Sequence, residues 1–165
     1  MLKKIFTGFV IASAIFYIFV LYTLLFALQG RGMVIMSEHM LDNYNYWNSI
    51  NIIPFKTIME YIIAIFHESI RGHAIRNLCG NLFLLFPLGF YLPFFTQKMA
   101  KMKTYILVVV VFIVAVEIIQ VITKTGSFDV DDIILNLTGA LMGFIICKYT
   151  LIRSLFKLRA FSERI

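Results

Sequence analysis

The sequence predicts an all-α fold, an integral membrane bundle of four transmembrane helices plus a short interfacial or re-entrant helix. Three observations predict it. First, the 165 residues are 61% hydrophobic and 15% charged, against about 45–50% and about 25% in a soluble domain. A water-soluble core of this size cannot bury so much apolar surface, and the bilayer is the solvent that suits it. Second, the apolar residues fall into runs of membrane-spanning length. Third, Lys and Arg collect on alternate sides of those runs.

The first run, Ile5 to Leu28, is uncharged throughout. At about 1.5 Å per residue it reaches roughly 36 Å, enough to cross with tilt. Lys3 and Lys4 precede it, as in a signal peptide. The run exceeds the apolar stretch of about 7–15 residues such peptides use, and no A-x-A site follows, so a retained helix is expected. From Ser37 to Ile53 the chain is polar and aromatic, with Tyr44, Tyr46 and Trp47, rings that favour the headgroup level. Ile58 to Phe66 is apolar but too short to span. With Lys56, Glu60 and His67 at its edges, it is expected to lie at the interface or re-enter, with Pro54 in its first turn.

The second span is expected over Asn77 to Phe95, with Pro87 and Pro93 tolerated because neighbouring helices satisfy the freed carbonyls. The third is Tyr105 to Ile122. The fourth runs from Ile133 to about Ile152. The tail, Tyr149 to Phe161, mixes Leu155, Phe156 and Leu158 with basic residues and suits the anionic inner leaflet. No repeat or linker interrupts the chain, so residues 1–165 are expected to form a single transmembrane domain.

Ten of the fifteen basic residues (Lys3, Lys4, Lys98, Lys101, Lys103, Lys148, Arg153, Lys157, Arg159 and Arg164) share one side of the predicted spans. The other side has Arg31, Lys56, Arg71, Arg76 and Lys124. Cytoplasmic segments carry the Lys/Arg excess, so both termini are expected in the cytoplasm. The net charge of +6 then reflects contact with membrane lipids, and no aromatic and basic residues interleave as in a nucleic-acid-binding sheet. Cys79 and Cys147 fall at depths differing by roughly 18 Å on this topology, too far apart to bridge.

Intramembrane polar groups are costly, and each needs a reason. Asn77 and Asn81 share a helix face at i,i+4, and Glu117 and Gln120 do so at i,i+3. Asp132, Asn136, Gly139 and Gly143 fall on one stripe of the fourth helix, and the G-x-x-x-G pair permits close helix approach. On the predicted topology these polar groups all lie near the outer face. Glu117, Gln120 and Asn136 are therefore expected to line one polar cavity opening outward.

Other readings of the same residues stand beside that one. Asp129, Asp131 and Asp132 can serve as helix-start carboxylates, the asparagines as interhelical hydrogen bonds, and Glu117 as an ion-pair partner of Arg76 or Lys124. His39, His67 and His73 have no metal-ligand spacing, and no cofactor or metal is expected. Phosphate loops, nucleophile elbows and zinc-protease motifs are absent. The sequon at Asn136 falls within a span and carries no meaning.

The stretches NIIPF (Asn51 to Phe55), NLCGNLFLLFPLGFYLP (Asn77 to Pro93), EIIQ (Glu117 to Gln120) and FDVDDIILNLTGALMG (Phe128 to Gly143) resemble the VanZ family of bacterial membrane proteins. The resemblance covers most of the chain from 51 to 143, and EIIQ together with D-x-x-D-x-x-x-N is its most specific part. It maps the family motif onto Glu117, Gln120, Asp129, Asp132 and Asn136, preceded by Asn77, Gly80, Asn81, Pro87 and Gly89. One departure is Gly126, where many relatives carry an Arg shortly before the acidic motif.

The resemblance implies a multi-pass protein of the bacterial cytoplasmic membrane, with a role in low-level glycopeptide (teicoplanin) resistance or envelope homeostasis. The binding residues it suggests are Asn77, Asn81, Glu117, Gln120, Asp129, Asp132 and Asn136. Its target would be a lipid-linked cell-wall precursor or the lipid tail of a lipoglycopeptide antibiotic. An alternative is a membrane enzyme on a lipid-linked substrate, with Glu117 as general acid/base and Asp129 or Asp132 assisting or holding a divalent ion, for which oxygen ligands suit Mg²⁺ or Ca²⁺ though nothing in the sequence requires one. A small transporter or structural subunit is a third.

Overall fold

A computed structural model describes residues 2–27, 50–123 and 126–149. The fold class is as expected, an all-α membrane bundle. Helix α1 is Leu2–Tyr22, continued by one π-helical turn, Thr23–Ala27. Then follow α2 (Lys56–Ala64), α3 (Arg71–Leu84), α4 (Leu88–Phe95), α5 (Met102–Ile122) and α6 (Val130–Tyr149). Four stretches are long and apolar enough to cross a membrane: Lys4–Phe26, Arg71–Phe95, Met102–Ile122 and Val130–Tyr149. Most of Ser37 to Ile53, His39, Lys124 and the basic tail beyond Tyr149 lie outside the described residues.

Two boundaries differ from expectation in ways that matter for the site. The second span begins at Arg71, six positions before Asn77. Arg71, His73 and Arg76 are polar, but backbone hydrogen bonding carries the helix through them; the His73 and Ala74 amides both donate to the Ile70 carbonyl. The fourth span begins at Val130, which places Asp131 and Asp132 within its first turn. Pro54 lies outside α2, because Phe55 takes up a left-handed conformation (φ 67°) before the helix starts.

The chain divides into two compact units. The first comprises residues up to Asn51 together with Val116–Phe128, and so includes α1 and the last turns of α5. Within it the Gln120 amide donates to the Leu25 carbonyl (3.1 Å), and the Asn51 N–H donates to the Phe128 carbonyl (2.8 Å).

The second unit comprises Ile52–Ala115 and the chain from Asp129 onward. Its centre is α6, packed on α3 and α4. Pro87, which has no N–H to donate, separates those two helices, and Gly139 and Gly143 let α6 approach the backbone on both sides of the break. A Cβ on Gly139 would fall on the Leu82 carbonyl oxygen, one on Gly143 on the Phe86 carbonyl oxygen, and one on Gly89 on the Gly143–Phe144 backbone. The register rises together along both partners, so α3–α4 and α6 run parallel. Two spans separated by a single crossing must do so. From α5, Tyr105 stacks on Phe144 (4.5 Å between ring centroids) and donates its hydroxyl hydrogen to the Ala140 carbonyl. Both Cys79 and Cys147 are free thiols.

Candidate functional site

The polar residues of the second unit gather where α2, α3 and the first turn of α6 meet. Helix α2 supplies no side-chain cap of its own, and its exposed amides are met from α6. The Asp131 carboxylate accepts from the Phe55 N–H (2.5 Å) and the Ile58 N–H (3.1 Å). An aspartate normally caps its own helix; Asp131 caps a different one, and it is fully buried in doing so. Asp129 plays the conventional part. It accepts from the Asp131 N–H (2.8 Å), closing the start of α6, and from the Thr57 hydroxyl (2.6 Å), which ties α6 to α2.

Asp132 faces α3 and accepts a hydrogen bond from the Asn81 amide. One turn earlier on α3, the Asn77 amide donates to the Tyr61 hydroxyl (2.8 Å) and lies 3.0 Å from the His73 ring nitrogen. The Tyr61 and His73 rings meet edge-on. Burial is the main influence holding the Tyr61 phenol above its ordinary pKa; the Asn77 hydrogen bond opposes it, and the charges of Asp132, Asp129 and Glu60 add to it. Asn136 bonds within its own helix, from its amide to the Asp132 carbonyl (2.8 Å). Its Oδ1 is buried without a hydrogen-bond partner.

The structure thus joins Asn81 to Asp132 and holds Asn136 one turn away, while Asn77 is joined to Tyr61. Glu117 and Gln120 belong to the first unit. There they lie on the last turns of α5, and both are buried, each 4% exposed.

Tyr61, Thr57, His73 and Asp131 were not among the expected site residues. For His73 a signal existed: His73, Asn77 and Asn81 recur at i, i+4, i+8, which puts all three on one helix face. Asp131 left no such sign, because its partners are backbone amides 76 and 73 positions away. Among the described residues, no three of His, Cys, Asp and Glu are grouped to hold a metal ion.

The family model of VanZ/LLP1 matches residues 14–154. The chain belongs to the VanZ/LLP1 family. That match extends well beyond the motif-bearing stretch, taking in the latter part of α1 and all of α6. No match is found among curated proteins or among solved structures. Within this VanZ/LLP1 chain the motif residues have separate local tasks. Asp129 caps, Asp132 bridges two helices, and Gly139 and Gly143 admit the backbone of α3 and α4.

Proposed function

We propose that this VanZ-type membrane protein acts in low-level glycopeptide (teicoplanin) resistance or cell-envelope homeostasis, through a polar site at the outer face of the bacterial cytoplasmic membrane. The observation that carries the reading is the Asn81–Asp132 pair, which joins two membrane-spanning helices through a carboxylate. A carboxylate inside a membrane-spanning helix is expensive and is retained where it is used. A polar cluster at the end of membrane-spanning helices suits an amphiphile, with the headgroup on the cluster and the chain in the surrounding lipid. A lipid-linked wall precursor and a lipoglycopeptide both have that form. The excess of basic residues beyond the opposite ends of the spans supports the orientation.

The test is teicoplanin protection in a susceptible host, after the unmodified protein is shown to protect. Asp132→Asn should leave membrane abundance intact and abolish protection. Full protection by that variant would overturn the reading.

A second reading is an enzyme on a lipid-linked substrate, with Glu117 as general acid/base. The near-complete burial of that carboxylate favours it, since an ionisable group inside a membrane span is retained where it is used. Incubation of the purified protein with lipid-linked wall precursor, followed by a search for a modified product, tests it.

A further inference from the structure

Helix α3 meets the rest of its unit on two faces. Ala74 is buried, and Asn81 and Leu82 meet α6. His73 and Asn77 meet Tyr61 of α2. Gly72, Arg76, Cys79 and Phe83 recur at i, i+4, i+7 and i+11, which sets them on one stripe opposite Ala74. All four are exposed. The stripe belongs to the apolar stretch Arg71–Phe95, so its surroundings are lipid.

Of the four, Arg76 alone is charged. It lies five positions inside the start of the stretch, a depth of about 7.5 Å. Among the described residues it has no hydrogen-bond or ion-pair partner. Arg71 is the contrast, because the Ile65 carbonyl accepts its Nε–H (2.8 Å). A guanidinium keeps its charge in a protein, and a charge at the edge of hydrocarbon needs a counter-charge.

Geometry says where that counter-charge sits. Long side chains on a helix lean toward its N-terminus. From Arg76 that direction leads past Gly72 toward the start of α3. Nothing lies within 4 Å of a Cβ at Gly72, so the guanidinium has open space beside the backbone, where the headgroups begin. A second copy apposed through this stripe about a two-fold axis would set Arg76 against its equivalent. The aspartates at the start of α6 are engaged with α2 and with Asn81, on other faces. Lipid headgroups supply phosphate, which a guanidinium binds through two parallel N–H donors.

We propose that Arg76 and the open backbone at Gly72 form a site for the phosphate of an anionic glycerophospholipid, with its acyl chains running along Cys79 and Phe83. An anionic lipid fits better than a zwitterionic one, whose own ammonium competes for the phosphate. Arg76 lies about 140° around α3 from Asn81, so this site is separate from the Asn81–Asp132 pair and goes beyond the function proposed for it.

The experiment uses the full-length protein in nanodiscs of phosphatidylcholine doped with phosphatidylglycerol. Native mass spectrometry counts the phosphatidylglycerol that stays on the protein after transfer to detergent. Arg76→Gln, checked for an unchanged melting profile, should retain about tenfold less, as expected for loss of charge-assisted hydrogen bonds. Arg71→Gln removes the same charge from another face and should retain as much as the unmodified protein. Gly72→Leu keeps the charge but fills the open space, and it should also lower retention. Full retention by Arg76→Gln overturns the proposal. An equal loss in Arg71→Gln overturns it too, because net charge alone would then attract the lipid. If the unmodified protein holds the two lipids only in their disc proportion, the proposal fails without any variant. Excess glycerol phosphate should not displace the lipid; displacement would mark a site for soluble phosphate and overturn the lipid assignment. A dimer that dissociates on Arg76→Gln would make a second copy the occupant and likewise overturn the proposal.

Discussion

The Phe55 N–H donates to the buried carboxylate of Asp131 across 76 residues of sequence (2.5 Å). A second bond, from the Ile58 N–H, makes this one side chain the cap of α2. Tyr61 lies three residues further along that helix, so the same clamp sets where its hydroxyl meets Asn77. Asp131→Ala should cost about 1–3 kcal/mol, the range for leaving buried amides unsatisfied. Asp131→Asn, which keeps one accepting oxygen, should cost less. Detergent melting measures both, and faster hydrogen exchange at Ile58 should accompany the loss. Unchanged exchange in the Ala variant would show that the clamp does not hold α2.

Gly139→Leu should disrupt the protein far more than Gly8→Leu. The Leu82 carbonyl occupies the space a side chain at 139 would need, whereas nothing lies within 4 Å of a Cβ at Gly8. A backbone carbonyl cannot move aside as a flexible side chain can, so the cost should be about 1–3 kcal/mol or more. Equal losses in thermal melting of the two variants would contradict this packing.

Stability should fall at high pH, in part through Tyr61. Its folded-state pKa is raised, chiefly by burial. A raised pKa means that the folded state holds the proton more tightly than the unfolded chain. The associated stability is complete below the ordinary tyrosine value near 10 and is lost as pH rises through the raised value. Tyr61→Phe has no proton to lose, so its melting temperature should decline less steeply above about pH 10. Identical alkaline slopes for the two proteins would exclude the contribution.

Reporter fusions at Met102 and Gly126 should read inside and outside, respectively. The count of Lys and Arg sets the expectation. The reverse pattern would move the Asn81–Asp132 cluster to the cytoplasmic side and remove its access to external glycopeptides.

Glu117→Gln should retain near-normal membrane abundance and melting but lose teicoplanin protection, in a host where the unmodified protein protects. The substitution keeps shape and hydrogen bonding while deleting the charge. If Glu117 serves only as a structural ion-pair partner, abundance should fall instead, because a buried cation loses its counter-charge. Protection at full strength would remove this carboxylate from the mechanism.

The sequence by itself determined the fold class and the four membrane stretches, because burial in hydrocarbon is a property of runs of residues and each run declares itself locally. It also determined the packing stripe on α6, since helical periodicity places Gly139 and Gly143 above one another whatever they meet. The motif residues Asn81, Asp132 and Asn136 were legible for a related reason: a polar side chain in an apolar run stands out. The start of α3 was less legible, because backbone hydrogen bonds sustain the helix through Arg71, His73 and Arg76 regardless of side-chain polarity.

Only the tertiary structure decided which groups meet. Three neighbouring aspartates look alike in sequence, yet Asp129 caps its own helix, Asp131 caps α2, and Asp132 reaches Asn81. Successive positions on a helix are rotated by about 100° and so face different neighbours. Those neighbours come from segments 51 to 76 positions away. Tyr61 joined the cluster for the same reason. Its hydroxyl gains a role only where folding brings Asn77 within 2.8 Å, a proximity created by the clamp on α2 and by the packing of α6 on α3.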